Sequence, residues 1–178
     1  RGSNTCDVVF EDVHVPVENM LGKVGQGFKI AMDTLDLARP FVGSMAVGIA
    51  QRSMEEAIAY AKLRKTFGKP IIANQAIQFK LADMDIKIET ARNSVIGCLN
   101  NYYAGLPYAR EAAIAKCYAA DISVECALES IQILGGYGYS REYPVEKLLR
   151  GAKIFQIFEG TNEVQRIVVF GQLSKKYQ

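Results

Sequence analysis

From Phe28 onward, apolar residues recur at three- and four-residue steps, the spacing that places them on one face of an α-helix. The regularity is greatest after Asn74, a residue type that commonly caps a helix N-terminus. There the steps of four and three alternate through Ile77, Leu81, Met84, Ile88, Ala91, Val95 and Cys98. This heptad-like spacing predicts a long helix that packs against other helices, and Gly105 and Pro107 predict its end.

Two more long helices are predicted on either side of it. The first runs from residue 28 to about residue 64, and Pro40 interrupts its pattern, so we expect a kink or break between Asp36 and Arg39. The other runs from about residue 108 to 134 and ends at the glycines that follow. Its predicted inner side consists of Ile114, Cys117, Val124, Leu128 and Ile131.

Two shorter helical segments follow. Pro144 suits the first turn of a short helix that extends to about Gly151. A final helix is predicted after Thr161. Its inner side is expected to consist of Val164, Ile167, Val168 and Leu173. Long antiparallel helices joined by short turns predict a mainly α fold, a four-helix up-down bundle, over residues 23–178.

Residues 5–17 have a different pattern. Apolar and polar residues alternate here, Val, Phe and Thr dominate, and Pro16 closes the run, which predicts one or two short strands. Since an isolated hairpin is not stable in water, we expect these strands to belong to a sheet whose other strands lie outside this chain. The sequence therefore predicts two parts, the end of a β-domain at 1–22 and a helical bundle at 23–178.

Composition and charge exclude several classes of function. Hydrophobic residues make up 49% of the 178 residues and charged residues 22%, enough apolar material for a core. The net charge of +2, with no Lys/Arg run longer than a pair, argues against a nucleic-acid partner. No apolar run approaches the roughly 20 residues that cross a membrane. The four cysteines form no Cys-x-x-Cys pair and His14 is the only histidine, so we expect no metal site, and we expect reduced core thiols in an intracellular protein.

Three stretches carry candidate chemistry. Glu159 lies between an aromatic residue and a glycine just before a helix start. A carboxylate against an apolar wall suits a general base, because desolvation disfavours its charged form. Residues 64–68 (RKTFG) combine cations, a hydroxyl and a glycine, which suits phosphate binding. Residues 132–136 (QILGG) contain glycines that let a ligand approach the backbone closely.

Each stretch also has a purely structural interpretation. Glu159 can be an ordinary acidic residue stabilised by a helix dipole, and Arg64 and Lys65 can complement a helix C-terminus. The glycines after residue 134 can be a helix C-cap. Asp36 and Arg39 can be an i,i+3 ion pair. Taken one at a time, the stretches favour these structural interpretations.

Six motifs change this balance because they occur together and in one order. They are VHVPVEN (13–19), RKTFGK (64–69), NQAIQ (74–78), QILGGYG (132–138), EYPVEK (142–147) and FEGTNE (158–163). At this spacing, over essentially the whole chain, they resemble the acyl-CoA dehydrogenase family, most closely its short- and medium-chain members. The resemblance implies the end of the family's middle β-domain followed by its carboxyl-terminal four-helix bundle.

The resemblance also implies a reaction, the FAD-dependent α,β-dehydrogenation of an acyl-CoA to a trans-2-enoyl-CoA. Glu159 resembles the base that removes the α-proton, while FAD takes up the β-hydrogen as hydride and an electron-transfer flavoprotein is the implied electron acceptor. Some members place the base at the position of Ala38, which has no acidic side chain here. Asp36, Arg39 and Gly160 resemble residues of the substrate site.

The implied FAD is shared between subunits of a homo-oligomer, a dimer or a dimer of dimers. The residues that resemble FAD contacts are Arg64, Thr66, Phe67, Gln75, Gln132, Ile133, Gly135, Gly136, Thr161 and Glu163. The implied compartment is the cytoplasm in a prokaryote and the mitochondrial matrix in a eukaryote. This chain alone is expected to be inactive, because most of the implied pocket lies outside it. Two alternatives stay open, an acyl-CoA oxidase-like enzyme that uses oxygen and a non-catalytic oligomerisation bundle.

Overall fold

The computed structural model of the chain describes residues 3–177 and is mainly helical. Its four long helices are α1 (Gly27–Leu63), α2 (Gln75–Tyr103), α3 (Ala109–Leu134) and α6 (Asn162–Lys176). Between them lie β1 (Lys65–Thr66), β2 (Lys69–Pro70), α4 (Gly136–Tyr139) and α5 (Val145–Lys153). The two strands pair antiparallel. Helix α3 contacts α1, α2, α5 and α6, so it is the central helix of the bundle. The predicted mainly α bundle is confirmed.

Helix α1 runs unbroken through Pro40, so of the predicted kink or break the break is wrong, and the kink stays a prediction. A proline inside a helix removes one backbone hydrogen bond and crowds the preceding turn. Here Pro40 is fully buried, and an ion pair between Asp36 and Arg39 spans the same turn. Because α1 packs along α2 and α3, tertiary contacts hold it helical across the proline.

Helix α2 has the inner face that the spacing predicted. The buried residues of this face are Met84, Ile88, Ala91, Val95 and Cys98. Ile77 and Leu81 are half-buried and pack against the same core. Asn74 is the N-cap residue, although its side chain makes no capping hydrogen bond. Apolar periodicity, rather than the cap, therefore carried the correct prediction.

Helix α3 does not have the single inner side that was predicted. Leu128 is exposed, and Ile114, Cys117 and Val124 are only half-buried. The buried positions hold mostly small residues, among them Ala112, Ala113, Ala115, Ala119, Ala120, Ser123, Cys126, Ala127 and Ser130. Since α3 has neighbours on several sides, small side chains are needed all around it for close packing.

Helix α6 is also turned differently from the prediction. Its buried residues are Asn162 and Gln165. Ile167, expected on the inner side, is 71% exposed, and Val164 and Leu173 are exposed as well. The polar residues point inward because they bond to groups of α3 and of the preceding turn. Of the four residues predicted for the inner side, Val168 alone is half-buried, and the other three lie at the surface.

The one or two strands predicted between residues 5 and 17 are not formed in the described part of the chain. Residues 3–16 are exposed, and a short 3-10 helix, Val17–Asn19, follows them. A strand needs neighbouring strands to satisfy its backbone and bury its apolar face. The alternating pattern of residues 5–17 therefore forms no strand within the described chain. The predicted division of the chain near residue 22 stays a prediction.

The four cysteines are free thiols in different environments. Cys98 and Cys126 are buried, and burial raises the pKa of each thiol to about 11. Cys117 is half-buried, whereas Cys6 is exposed, so the prediction of a core thiol is wrong for Cys6. Within residues 3–177, no helix is long and apolar enough to span a membrane. The same residues contain no cluster of three or more His, Cys, Asp or Glu side chains suited to a metal ion.

Candidate active site

The turn between α5 and α6 holds Glu159 in an uncommon backbone conformation. It follows the 3-10 helix Ile154–Gln156. The φ angle is 56° at Glu159 and 82° at Gly160. A left-handed conformation costs a non-glycine residue roughly 1–2 kcal/mol, so surrounding contacts must hold it. At the end of the turn, the hydroxyl of Thr161 accepts a hydrogen bond from the backbone N–H of Val164 at 3.3 Å and caps α6.

The Glu159 carboxylate is not satisfied by the protein. Its Oε2 atom is buried and has no hydrogen-bond partner among residues 3–177. The preceding residue, Phe158, packs against the hydrophobic core, with its ring 5.5 Å from that of Phe155. A buried polar atom without a partner costs about 1–3 kcal/mol. Among the described residues this carboxylate oxygen is therefore free to accept a hydrogen bond or a proton.

Lys116 holds the backbone of this turn, and sequence reasoning missed it. Its side chain is fully buried in the middle of α3. Its Nζ donates to the carbonyl oxygen of Gly160 at 2.7 Å and to Oδ1 of Asn162 at 3.1 Å. From α6, Gln165 Nε2 donates to the carbonyl oxygens of Glu159 at 3.3 Å and Gly160 at 3.0 Å. A lone lysine within a run of small and apolar residues was the available signal.

Asp121 ties both ends of the same turn to α3. Its Oδ1 accepts hydrogen bonds from Gln156 Nε2 at 2.6 Å and from Asn162 Nδ2 at 2.7 Å. Its Oδ2 accepts from Arg166 at 2.9 Å. Asn162 Nδ2 also donates to the carbonyl oxygen of Cys117 at 3.1 Å. Residues before and after the turn are therefore fixed to one helix, which explains the inward polar face of α6.

The predicted substrate residues Asp36 and Arg39 lie on α1 as an ion pair. Arg39 is only 5% exposed, and its Nε has no hydrogen-bond partner in the described part of the chain. Burial lowers the pKa of Lys116, the positive charge of Arg39 lowers it further, and the negative charge of Glu159 raises it. Within residues 3–177, no hydrogen bond or ion pair joins Arg39 to the Glu159 carboxylate, so their joint role in a substrate site stays a prediction.

A groove of about 610 Å³ lies at the carboxyl end of α3, and we refer to it as the α3 groove. Five predicted FAD contacts line it, namely Arg64, Thr66, Ile133, Gly135 and Gly136. Gly135 has a φ of 62°, a conformation that favours glycine. A Cβ atom at Gly135 or Gly136 would meet no protein atom within 4 Å. The backbone here is open to a ligand, and Arg64 supplies a positive charge at the rim.

Three of the other predicted FAD contacts lie at the surface. Phe67, between the two short strands, is fully exposed and has a φ of 50°. Gln75 and Gln132 are exposed and do not line the α3 groove. The structure therefore does not gather these three side chains around the groove.

Thr161 and Glu163 line a separate polar cavity of about 410 Å³, together with Arg166. Hydrogen bonds from the backbone N–H of Glu163 itself and from the hydroxyl of Thr161 lower the pKa of the Glu163 carboxyl. An ionised carboxylate accepts hydrogen bonds but cannot donate them. An ionised Glu163 can therefore form a hydrogen bond only with a donor group of a ligand.

The comparisons with known proteins establish the family of the chain. The sequence model for the acyl-CoA dehydrogenase C-terminal domain matches residues 25–173. The chain belongs to the acyl-CoA dehydrogenase family. It is 52% identical over 171 residues to the short-chain-specific acyl-CoA dehydrogenase of Megasphaera elsdenii, a match that covers 96% of this chain and 45% of the relative.

Solved structures of family members give the same result. The chain matches butyryl-CoA dehydrogenase from Megasphaera elsdenii with a TM-score of 0.91 and 53% identity, over 93% of this chain and 43% of that one. It matches an acyl-CoA dehydrogenase complexed with FAD from Bacillus anthracis with a TM-score of 0.87 and 34% identity, over 95% of this chain and 32% of that one.

The chain spans less than half the length of the curated acyl-CoA dehydrogenases it matches. The predicted family membership is confirmed, and so is the helical bundle of the family's C-terminal domain. The roles of individual residues at the Glu159 turn and in the α3 groove stay predictions.

Proposed function

We propose that the full-length protein catalyses the α,β-dehydrogenation of a short- or medium-chain acyl-CoA to the trans-2-enoyl-CoA, with Glu159 as the base. The observation that carries the proposal is the buried, unpartnered Oε2 of Glu159 in a strained turn. The side chains of Lys116, Asp121 and Gln165 hold that turn in place. The similarity of the chain to a butyryl-CoA dehydrogenase supports an acyl-CoA with a short acyl chain as the substrate.

The chemistry requires a base that water does not surround. The α-proton of a thioester is weakly acidic, so its removal needs a desolvated carboxylate and donors that stabilise the developing enolate oxygen. Oε2 of Glu159 is the proposed acceptor of the α-proton, and its lack of a hydrogen-bond donor among residues 3–177 supports this role. The backbone N–H of Glu159 is the proposed donor to the thioester oxygen. FAD, when bound, accepts the β-hydrogen as hydride, so the two losses leave a carbon–carbon double bond.

The α3 groove fits the adenosine and pyrophosphate part of an FAD carried mainly by a neighbouring subunit. Arg64 presents a guanidinium, which pairs well with phosphate oxygens. The open backbone at Gly135 and Gly136 lets a ligand approach closely. Thr66 and Ile133, which line the groove, are proposed to complete this contact. Phe67, Gln75 and Gln132 are proposed to contact FAD from the surface outside the groove. Thr161 and Glu163 are proposed to contact the flavin of their own subunit.

Sharing FAD between subunits requires a homo-oligomer, a dimer or a dimer of dimers. The exposed apolar side chains of α6 support one, since Ile167 and Phe170 lie mostly at the surface. Large exposed apolar patches commonly mark interfaces. A non-catalytic oligomerisation bundle would use the same surface, but it would not need the orphaned carboxylate of Glu159. The electron acceptor, an electron-transfer flavoprotein, and the compartment, cytoplasm or mitochondrial matrix, stay predictions.

An anaerobic titration of the full-length flavoprotein with acyl-CoA substrates tests the proposed function. We expect the flavin absorbance to bleach, and we expect butyryl-CoA to reduce the flavin faster than palmitoyl-CoA. If no acyl-CoA bleaches the flavin, the oligomerisation bundle is the better description. Rapid reoxidation in air with release of peroxide would instead favour the oxidase-like alternative.

Arg64→Ala is expected to weaken FAD binding about tenfold or more, because a hydrogen bond to a charged group contributes about 1.5–3 kcal/mol. The measurement is the ratio of FAD to protein after dialysis, followed by reconstitution with added FAD. Arg52→Ala is the matched control, since Arg52 lies exposed on α1, the helix that ends just before Arg64, and pairs with Glu56. Stoichiometric FAD in dialysed Arg64→Ala would remove this residue from the proposed site.

A further inference from the structure

Lys116 is a buried cation that forms no salt bridge with any of the described residues 3–177. Its side chain is fully buried, and no carboxylate oxygen of the described residues lies within 4 Å of its Nζ. Its two hydrogen-bond acceptors are neutral, the Gly160 carbonyl and the Asn162 amide oxygen. An apolar residue of similar volume commonly serves stability as well as a buried charge does, or better. Stability of the bundle therefore does not explain the lysine.

The contacts of Lys116 converge on the turn that carries Glu159. The Gly160 carbonyl accepts from Lys116 Nζ at 2.7 Å and from Gln165 Nε2 at 3.0 Å. Two buried donors on one carbonyl fix the orientation of that peptide group. A Cβ at Gly160 would lie only 2.7 Å from Gln165 Nε2, so the amide of Gln165 packs directly on the glycine. Lys116 comes from α3 and Gln165 from α6, so the two donors hold the turn from different helices.

The turn needs such a clamp, because the conformation it holds is strained. Glu159 has a φ of 56°, which a residue with a side chain rarely adopts on its own. A relaxed turn would move both the carboxylate and the backbone N–H of Glu159. These are the two groups to which the proposed reaction assigns the proton and the thioester oxygen.

We propose that Lys116 is a positioning residue, which together with Gln165 clamps the Gly160 carbonyl and thereby keeps Glu159 in the left-handed conformation that the reaction uses. This inference rests on the proposed function, because that function makes Glu159 the base. Lys116 acts through the turn and does not itself exchange a proton with the substrate. Its proposed role is to hold the backbone of Glu159, which lies 43 positions later in the sequence.

Lys116→Met in the full-length flavoprotein tests the clamp, since methionine keeps much of the length and volume but has no donor. We expect unchanged FAD content, an equal or higher unfolding temperature and little change in the KM for butyryl-CoA. The rate of flavin reduction at saturating butyryl-CoA should fall about 100-fold, because displacing a reacting group by about 1 Å has this effect. Gln165→Leu, which removes the second donor, should change the rate in the same direction.

Lys80→Met is the matched control, because Lys80 lies on α2 away from the turn and pairs with Glu129. It should leave the reduction rate unchanged. Equal reduction rates for Lys116→Met and the wild type would overturn the proposal. Loss of FAD or of folded protein in Lys116→Met would also overturn it, because the lysine would then serve folding.

Hydrogen exchange distinguishes a failure of the proposed role of Lys116 from a failure of the proposed function. Amide exchange of residues 160–165 should be faster in Lys116→Met than in the wild type, whichever substrate the enzyme uses. Unchanged exchange would overturn the clamp. A wild-type enzyme that no acyl-CoA reduces, combined with faster exchange in the variant, would refute the proposed function while supporting the clamp.

Discussion

Glu159→Gln in the full-length flavoprotein is expected to slow flavin reduction by acyl-CoA about 10²–10⁴-fold, the contribution typical of a general base. Glutamine has nearly the same shape but cannot take up the α-proton. The turn itself should survive, because Lys116 and Gln165 bind backbone carbonyls and leave the carboxylate untouched. FAD content should therefore stay stoichiometric. Anaerobic stopped-flow measurement of flavin absorbance after mixing with butyryl-CoA gives the rate.

The matched control is Glu55→Gln, the same substitution at an exposed position of α1. It should leave the reduction rate unchanged. Normal flavin bleaching in Glu159→Gln would refute the assignment of the base. Loss of FAD from this variant would mean that the carboxylate serves the cofactor site, which would also contradict the proposed role.

Ile88→Ala is expected to lower the free energy of unfolding of the chain by about 2–5 kcal/mol. The side chain is fully buried on the inner face of α2, so its removal leaves a cavity in the core that α1 and α3 also form. Urea unfolding followed by circular dichroism measures the change. The midpoint should fall at unchanged slope, since the surface exposed on unfolding is nearly the same.

Ile86→Ala, two residues away on the same helix, is the matched control. Ile86 is 63% exposed, so its truncation should change the free energy of unfolding by no more than about 0.5 kcal/mol. Similar losses from both substitutions would contradict the burial of this face of α2. Both variants replace isoleucine by alanine in the same helix, so the change in helix propensity is the same in both. A difference between their free energies of unfolding therefore reports core packing.

The spacing of apolar residues predicted α2 well, because this helix buries a single stripe of side chains. Apolar residues that recur with the helical period of 3.6 residues form such a stripe. The same reasoning failed for α3, where Leu128 is exposed and the buried positions are largely alanine and serine. A central helix contacts other helices on several sides and exposes only a narrow face to solvent. The spacing of its apolar residues therefore says little about which side faces the core. On α6 the apolar pattern misled. Asn162 points inward and bonds to Cys117, 45 positions earlier in the sequence, and Gln165 points inward and bonds to carbonyl groups of the preceding turn.

The candidate site divides in the same way. Glu159, Arg64 and the glycines after α3 were found from motifs, and their joint order carried the family membership. Their arrangement came from the fold, which places Arg64 with Gly135 and Gly136 in one groove although they lie about 70 positions apart. Lys116 was invisible as a motif, because its partners Gly160 and Asn162 belong to another element.

Local pattern was thus sufficient for the existence of the long helices, the inner face of α2, the start of α6 after Thr161 and the family. Packing against distant elements decided the continuity of α1 through Pro40, the outward apolar face of α6 and the clamp on the Glu159 turn. The physical reason is range. Helix propensity, periodicity and capping act within a few residues, whereas the burial of Lys116 and the strained φ of Glu159 exist only where separate helices meet.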